Sequence, residues 1–130
     1  MATLTPIRVL LADDHAEFRQ EMCNLLALYP DLEGVGQVSD GVEAVESVGR
    51  LHPTVVLMDI NMQKMDGITA TRLIANQYPE VAILGLSCDT REYFFNSMKR
   101  AGAFDVLTKE QSEEEIYRAI QRAVASMSDD

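Results

Sequence analysis

Apolar residues along the chain occur in two alternating patterns: short continuous runs, and longer stretches in which they recur every three or four positions. Ile7 to Ala12 is a run of the first kind, and the segment after it places Phe18, Met22, Leu25, Leu26 and Tyr29 at helical spacing. Continuous runs are typical of strands buried on both faces, and the spaced pattern is typical of amphipathic helices. The alternation predicts an α/β domain with a parallel sheet and right-handed crossovers. The predicted strands are 7–12, 32–38, 54–59, 81–86 and 104–107.

Residues that start or stop helices mark the ends of the spaced stretches. Pro30, Pro53 and Pro79 each follow a helical pattern, and the residue before a proline disfavours helical backbone. Ser112 and Glu115 form a capping-box pattern at the start of the last helix. For the second helix we expect the apolar side to consist of Val42, Val45, Val48 and Gly49.

Length, composition and charge narrow the classes of protein that fit. The chain has 130 residues, 47% of them hydrophobic and 25% charged, which is typical of one globular domain. The formal net charge of -10 would repel a phosphate backbone, so we expect no direct nucleic-acid binding. No apolar run approaches the roughly 20 residues that span a bilayer, and the first residues resemble no export signal. We therefore expect a cytoplasmic, non-membrane protein in which Cys23 and Cys88 are free thiols.

Polar residues that could take part in catalysis or bind a metal lie where the predicted strands end. Asp13-Asp14 follow the first strand, Asp59 ends the third, Ser87 follows the fourth, and Thr108-Lys109 follow the fifth. The carboxyl ends of parallel strands share one edge of the sheet, where such sheets bind ligands. Three carboxylates at one edge repel one another unless they share a cation. Ligation by oxygen indicates a hard ion, Mg²⁺ or Mn²⁺.

An ion bound at such a site has an open position for a phosphoryl group, because Mg²⁺ prefers one or two carboxylates plus a phosphate. A divalent ion together with Lys109 and the hydroxyl of Ser87 would stabilise its negative charge. Carboxylates form aspartyl-phosphate intermediates, and Asp59 emerges from the most apolar strand. Each residue also has a simpler interpretation: the acid pair as a helix cap, the lysine as a surface residue. His15 is either a metal ligand or general base, or merely a polar residue in the first turn of a helix, and we favour the latter.

The ordered set of motifs resembles the receiver domain of two-component response regulators over about Ile7 to Val124. The motifs that carry the resemblance are Leu11-Ala12-Asp13-Asp14-His15, Leu57-Met58-Asp59-Ile60-Asn61-Met62, Met65-Asp66-Gly67, Ser87, Ala101-Gly102-Ala103 and Lys109. Within that family the chain is most similar to the nitrate-sensing and quorum-sensing regulator class. The resemblance implies a flavodoxin-like, doubly wound sheet of five parallel strands in the order 2-1-3-4-5 with five helices. Members of that class normally continue into a helix-turn-helix domain. We expect residues 1–130 to be a single receiver domain, with a core at about 7–125 and no output domain in this chain, which is either a single-domain receiver or a fragment of a longer regulator.

The resemblance assigns roles to the residues at the strand ends. It implies that Asp59 accepts a phosphoryl group from a phosphohistidine on a sensor kinase or phosphotransfer protein. Asp14 and Asp59 would ligate Mg²⁺ with the backbone carbonyl of Asn61, and Asp13 would act mainly through a metal-bound water. The phosphoryl oxygens would be contacted by Ser87 and Lys109. Such a domain catalyses only its own phosphorylation and dephosphorylation, and its output surface is made by the fourth helix, fifth strand and fifth helix.

Three positions depart from the family pattern. Gln63 and Glu110 stand where prolines are common, and Val106 stands where the family usually has Tyr or Phe. Valine is β-branched with few rotamers, so it cannot report phosphorylation by rotating an aromatic ring. We expect weaker or differently routed coupling between Asp59 and the output surface. The alternative is a pseudo-receiver, a constitutive protein-interaction module that is not phosphorylated.

Tyr93-Phe94-Phe95 are consecutive aromatic residues in the predicted fourth helix. Successive helical positions are about 100° apart, so the three rings cannot all face one core and at least one is expected to be exposed. Tyr93 is either an ordinary surface residue or part of a contact patch for a homodimer mate or effector.

Two alternative functions fit the sequence less well. An aspartate-based phosphohydrolase would carry an acid where Asn61 stands, and a flavin carrier would lack the acids after the first strand.

Overall fold

A five-stranded parallel sheet lies at the centre of the computed structural model, which describes residues 5–89 and 91–127. Five helices connect the strands, and the elements in chain order are β1 (Ile7–Ala12), α1 (Ala16–Leu28), β2 (Leu32–Val38), α2 (Gly41–Leu51), β3 (Val55–Asp59), α3 (Gly67–Gln77), β4 (Ala82–Ser87), α4 (Glu92–Ala101), β5 (Asp105–Thr108) and α5 (Glu113–Met127). The strand order is β2-β1-β3-β4-β5, which confirms the predicted flavodoxin-like topology. Among the described residues no helix is long and apolar enough to cross a membrane.

The strand ends differ slightly from the predicted ones, and the difference matters at the candidate site. β1 and β2 have the predicted bounds, whereas β3, β4 and β5 each begin one residue later. β4 also continues through Ser87 and β5 through Thr108, and these two residues pair across the sheet. Ser87 is therefore the last residue of a strand, one position beyond the level at which Asp59 pairs with Leu86.

Alternate side chains of the strands enter two separate hydrophobic clusters, one on each face of the sheet. Val9, Leu11, Leu57 and Leu84 pack with α1 and α5. On the other face, α2, α3 and α4 pack against a second set of strand residues, Leu10, Ala12, Val56, Met58, Ile83 and Val106. Burial on both faces explains why the central strands read as continuous apolar runs.

The predicted apolar side of α2 is partly wrong. The buried residues of this helix are Gly41, Ala44, Ser47 and Val48. Val42 is 40% exposed and Val45 is only partly buried. The orientation of the helix is set by a backbone contact, in which Gly41 lies against Met65 so closely that a Cβ atom would overlap the Met65 carbonyl.

The segment between β3 and α3 forms the predicted loop and is held at both ends. The backbone N–H of Gly67 donates to the carbonyl of Ile60 at 2.8 Å, and the Asp66 side chain caps α3 by accepting from the Thr69 N–H at 2.8 Å. A Cβ atom at position 67 would overlap the Asp59 carbonyl, so glycine is required there.

The predicted capping box is present at the start of α5. Ser112 Oγ accepts from the Glu115 N–H at 3.1 Å, and Glu115 Oε1 accepts from the Ser112 N–H at 2.9 Å.

Candidate functional site

The carboxyl ends of β1, β3 and β5 bring Asp13, Asp59 and Lys109 into contact. Asp13 is fully buried and Asp59 is 3% exposed. Lys109 Nζ lies 2.5 Å from Asp13 Oδ2 and 3.4 Å from Asp59 Oδ2. These residues are separated in sequence by 46 positions or more, and the strand order alone explains how they meet. The result is a buried group of acids that holds one lysine.

The environment of Asp59 disfavours its charged form. Burial raises the pKa of Asp59 from 3.8 to about 6, and the neighbouring charge of Asp13 adds to the rise. The Lys109 ammonium and the Asn61 N–H, which donates to Asp59 Oδ1 at 3.3 Å, act in the opposite direction. At neutral pH the carboxylate is therefore mostly ionised but poorly stabilised, which is a suitable state for a nucleophile that also binds a cation.

Lys109 is kept charged by its acidic neighbours. Burial by itself lowers the pKa of Lys109, but the hydrogen bond to Asp13 and the charges of Asp59 and Asp13 outweigh burial, so the pKa is raised overall. The ammonium also lies 4.6 Å from the centroid of the Phe18 ring. The backbone N–H of Lys109 donates to the Ser87 carbonyl at 3.0 Å, which ties the end of β5 to the end of β4.

His15 belongs to this cluster, although we favoured a simpler interpretation from the sequence. Its Nδ1 lies 3.1 Å from Asp14 Oδ1 and 3.2 Å from Asp13 Oδ1. Its backbone N–H donates to Asp13 Oδ1 at 2.8 Å, and Arg19 donates to the Asp13 carbonyl at 2.7 Å. One signal for this placement is present in the sequence: His15 directly follows Asp13 and Asp14.

The donor set fits a divalent cation. Asp13, Asp14, His15 and Asp59 each offer one ligand atom, and these atoms lie within 4.8 Å of one another. Asp13 Oδ2 and Asp14 Oδ1 are shielded from solvent and accept no hydrogen bond of good geometry from the described residues, although Lys109 and His15 lie beside them. Shielded carboxylate oxygens need a positive partner, and one lysine serves both Asp13 and Asp59 here.

The Ser87 hydroxyl is engaged by its own loop. Ser87 Oγ donates to the Asp89 carbonyl at 2.8 Å and accepts from the Asp89 N–H at 2.9 Å. The Asp89 carboxylate in turn accepts from the Arg91 guanidinium, with the shortest contact at 2.6 Å. The structure thus places Ser87 at the predicted edge of the sheet but turns its hydroxyl toward the β4–α4 loop.

Comparisons with known proteins agree with this geometry. The profile of the response regulator receiver domain family matches residues 9–121. The transcriptional regulatory protein DegU of Brevibacillus brevis is 37% identical over 115 residues, covering 88% of this chain and 49% of that protein. LiaR of Bacillus subtilis (strain 168) is 38% identical over 117 residues, covering 90% of this chain and 56% of that protein. The chain belongs to the response regulator receiver domain family.

Solved receiver structures share the fold. The receiver domain of the putative response regulator NarL from Mycobacterium tuberculosis has a TM-score of 0.90 at 26% identity, covering 93% of this chain and 98% of that chain. The response regulator domain of Thermotoga maritima CheB has a TM-score of 0.85 at 33% identity, covering 92% of this chain and 97% of that chain. The chain spans about half the length of DegU and LiaR.

The receiver departs from the family pattern in β5, at Val106, and in the β3–α3 loop, at Gln63. Val106 is buried in β5 and packs in the same cluster as Met98, Phe94 and Phe95 of α4. Tyr93 is 67% exposed, so at least one of the three consecutive aromatic rings faces solvent, as expected. Gln63 is exposed and forms an isolated backbone bridge with Asp40.

Proposed function

We propose that this receiver domain is a phosphorylation switch in which Asp59 accepts a phosphoryl group from a phosphohistidine on a sensor kinase or phosphotransfer protein. The observation that carries the proposal is the position of Asp59, which lies 3.4 Å from Lys109 Nζ and has a carboxylate oxygen within 4.8 Å of those of Asp13 and Asp14. A cavity of about 300 Å³ opens beside Asp14 and is lined by Ser39, Asp40, Gln63 and Lys64. Of the three acids at the strand ends, Asp14 lines this cavity, so the Asp14 side of the cluster is open to solvent.

The transfer exchanges one bond to phosphorus for another. A carboxylate oxygen of Asp59 forms the new O–P bond, the N–P bond of phosphohistidine breaks, and the leaving imidazole nitrogen keeps the electron pair and takes up a proton. Lys109 already lies 3.4 Å from Asp59 Oδ2, within reach of oxygens on a group attached there. Its fixed charge stabilises the negative charge of the phosphoryl group as it arrives.

We assign the metal to the same acids. Asp14, Asp59 and the Asn61 carbonyl would ligate Mg²⁺ or Mn²⁺, with Asp13 acting mainly through a metal-bound water. When bound, the ion neutralises oxygens of the transferred group. Two shielded carboxylate oxygens that lack good hydrogen bonds from the described residues support this assignment.

The output is proposed to pass through α4, β5 and α5 to a protein partner. The net charge of -10 supports protein contacts over nucleic-acid contacts by this chain. Tyr93, with its exposed ring, is a candidate contact for an effector or a homodimer mate. If it is a dimer contact, Tyr93→Ser should lower the sedimentation coefficient at high protein concentration, whereas identical concentration series would remove it from the interface.

Labelling with a small phosphodonor tests the proposal. Wild type incubated with Mg²⁺ and acetyl phosphate should gain the mass of one phosphoryl group in intact-mass analysis, and Asp59→Ala should gain none. Chelation of the metal should abolish the gain. A wild-type protein that stays unlabelled, or an Asp59→Ala variant labelled equally well, would reject the assignment and favour a pseudo-receiver that acts only as an interaction module.

A further inference from the structure

We propose that His15 supplies a nitrogen ligand to an ion bound at the acidic cluster, which consists of Asp13, Asp14 and Asp59. The site would then bind divalent transition ions such as Co²⁺, Ni²⁺ and Zn²⁺ more tightly than Mg²⁺. The inference rests on the proposed function only in placing the ion at the acids that include Asp59. It concerns a residue to which the phosphorylation chemistry assigns no role. It is based on the position of the imidazole and on the contacts of Asp13, whose two carboxylate oxygens face different residues, His15 and Lys109.

The spacing of the candidate ligand atoms matches a coordination shell. His15 Nδ1 lies 3.1 Å from Asp14 Oδ1, 3.2 Å from Asp13 Oδ1 and 3.9 Å from Asp59 Oδ2. Ligands about 2.1 Å from one ion stand about 3.0 Å apart at right angles and about 3.4 Å apart in a tetrahedron. The two shorter distances fall between these values. The imidazole and the acid pair are therefore already spaced as neighbouring ligands.

His15 has no competing structural task that would hold its ring elsewhere. It is the N-cap residue of α1, but its side chain makes no capping hydrogen bond with the described residues, and the side chain is 63% exposed. Its backbone N–H donates to Asp13 Oδ1 at 2.8 Å, and its Nδ1 lies beside Asp13 Oδ1 and Asp14 Oδ1. The ring is thus placed beside the cluster by its contacts with the two acids.

Lys109 and His15 contact different atoms of Asp13. Lys109 Nζ lies 2.5 Å from Oδ2, whereas His15 Nδ1 lies 3.2 Å from Oδ1. Lys109 Nζ is also 3.4 Å from His15 Nδ1, at hydrogen-bond distance, so an ion bound at Nδ1 takes the place of this contact. Asp13 Oδ1 is therefore accessible to the ion, directly or through a bound water, while the ion pair on Oδ2 stays in place.

The chemistry of imidazole makes the metal preference testable. Mg²⁺ favours oxygen ligands and retains several waters, so it gains little from a nitrogen donor. Imidazole suits nickel, copper and zinc, and affinity for a mixed nitrogen and oxygen site rises from Mn²⁺ through Co²⁺ and Ni²⁺. Removing the imidazole should therefore weaken the binding of transition ions and leave Mg²⁺ binding almost unchanged.

The chain offers a matched control because it contains two histidines, His15 and His52. His52 ends α2 in left-handed backbone at a φ of 50°, which asparagine also tolerates. The untagged protein would be titrated with Co²⁺ while the imidazole proton signals are recorded by NMR. Its binding of Ni²⁺ and Mg²⁺ would be measured by calorimetry. We expect Co²⁺ to shift or broaden the His15 signals first. His15→Ala should weaken Ni²⁺ binding at least tenfold and Mg²⁺ binding less than twofold, and His52→Asn should change neither.

The result that overturns the inference is specific to His15. Equal effects of Co²⁺ on both histidines, or equal weakening of Mg²⁺ and Ni²⁺ binding in His15→Ala, would assign His15 no ligand role. Acetyl phosphate labelling with Mg²⁺ is measured on the same samples. Normal labelling with unperturbed His15 signals rejects this inference alone, whereas Co²⁺ binding at His15 in an unlabelled wild type rejects the proposed function alone.

Discussion

Replacing Asp59 by asparagine should stabilise the metal-free protein at neutral pH, even though it removes the proposed phosphoacceptor. Asparagine has nearly the shape of the protonated acid and carries no charge. The buried carboxylate lies beside the Asp13 charge, and only Lys109 at 3.4 Å and the Asn61 N–H at 3.3 Å favour its ionised form among the groups that shift its pKa. The substitution therefore removes a charge that the folded protein tolerates poorly.

The size of the gain follows from the pKa of Asp59. A rise from 3.8 in the unfolded chain to about 6 in the folded protein corresponds to about 3 kcal/mol. Solvent reaches the neighbouring Asp14 and His15, and screening reduces the expected gain to roughly 1–2 kcal/mol. In a domain of this size that is an increase in melting temperature of roughly 3–8 °C.

The sign of the pH dependence is fixed by the direction of the shift. An acid with a raised pKa binds more protons in the folded state than in the unfolded state between pH 3.8 and about 6, so its contribution to stability falls as pH rises through that window. The gain of Asp59→Asn over wild type should be small near pH 4 and complete above pH 7. Urea unfolding at a series of pH values in a chelator measures it.

A charge-matched control separates this effect from the net charge of the chain. Asp66→Asn also removes one negative charge, but at an exposed N-cap where asparagine caps equally well, so its stability should change little. Mg²⁺ should reduce the difference between Asp59→Asn and wild type, because it binds the folded wild type more tightly. An Asp59→Asn variant that is no more stable than wild type at pH 7.5, or equally more stable at pH 4, would refute the electrostatic reasoning.

Three further outcomes are expected. Lys109→Met leaves the buried Asp13 charge without its ion-pair partner, so it should lower the free energy of unfolding by about 3 kcal/mol in chelator and less in Mg²⁺, measured by urea unfolding. Gly67→Ala forces a Cβ atom onto the Asp59 carbonyl, so it should cost about 1–3 kcal/mol and slow acetyl phosphate labelling, whereas unchanged labelling would show that the loop adapts. Because Val106 cannot rotate as an aromatic ring does, phosphorylation should change amide chemical shifts mainly in the loops around residues 59 and 87, and large shifts along all of α4 would contradict this.

The sheet and the meeting of the acids with Lys109 could be predicted because both depend on local patterns. Continuous apolar runs identify strands buried on two faces, and polar residues at the carboxyl ends of parallel strands must share one edge. Strand order was the step that the periodicity could not supply, and it came from the resemblance to the receiver family. Once β1 and β5 flank the central strands in that order, Asp13 and Lys109 need no further information to meet.

Features that depend on tertiary contacts escaped prediction. The side of α2 that faces the core is set by the backbone contact of Gly41 with Met65, and this contact exposes Val42 although its side chain is apolar. The place of His15 in the acidic cluster depends on the extended backbone of an N-cap residue, with φ of -97° and ψ of 109°. Hydrophobic periodicity does not predict the buried side of α2 or the position of His15, because both depend on contacts that form only in the folded structure.

The hydrogen bonds of Ser87 indicate what the proposed switch must exchange. Its hydroxyl makes two bonds with the Asp89 backbone, and neutral bonds of this kind contribute about 0.5–1.5 kcal/mol each. A bond from the same hydroxyl to a phosphoryl oxygen on Asp59 is charge-assisted, and bonds to charged groups contribute about 1.5–3 kcal/mol. The two arrangements of the Ser87 hydroxyl, bonded to the loop or to the phosphoryl group, are therefore close in free energy. Small changes in the loop decide which of them is favoured. The Asp89–Arg91 ion pair stabilises the arrangement in which Ser87 faces the loop, so this pair should set how much of the phosphorylated population reaches the active arrangement.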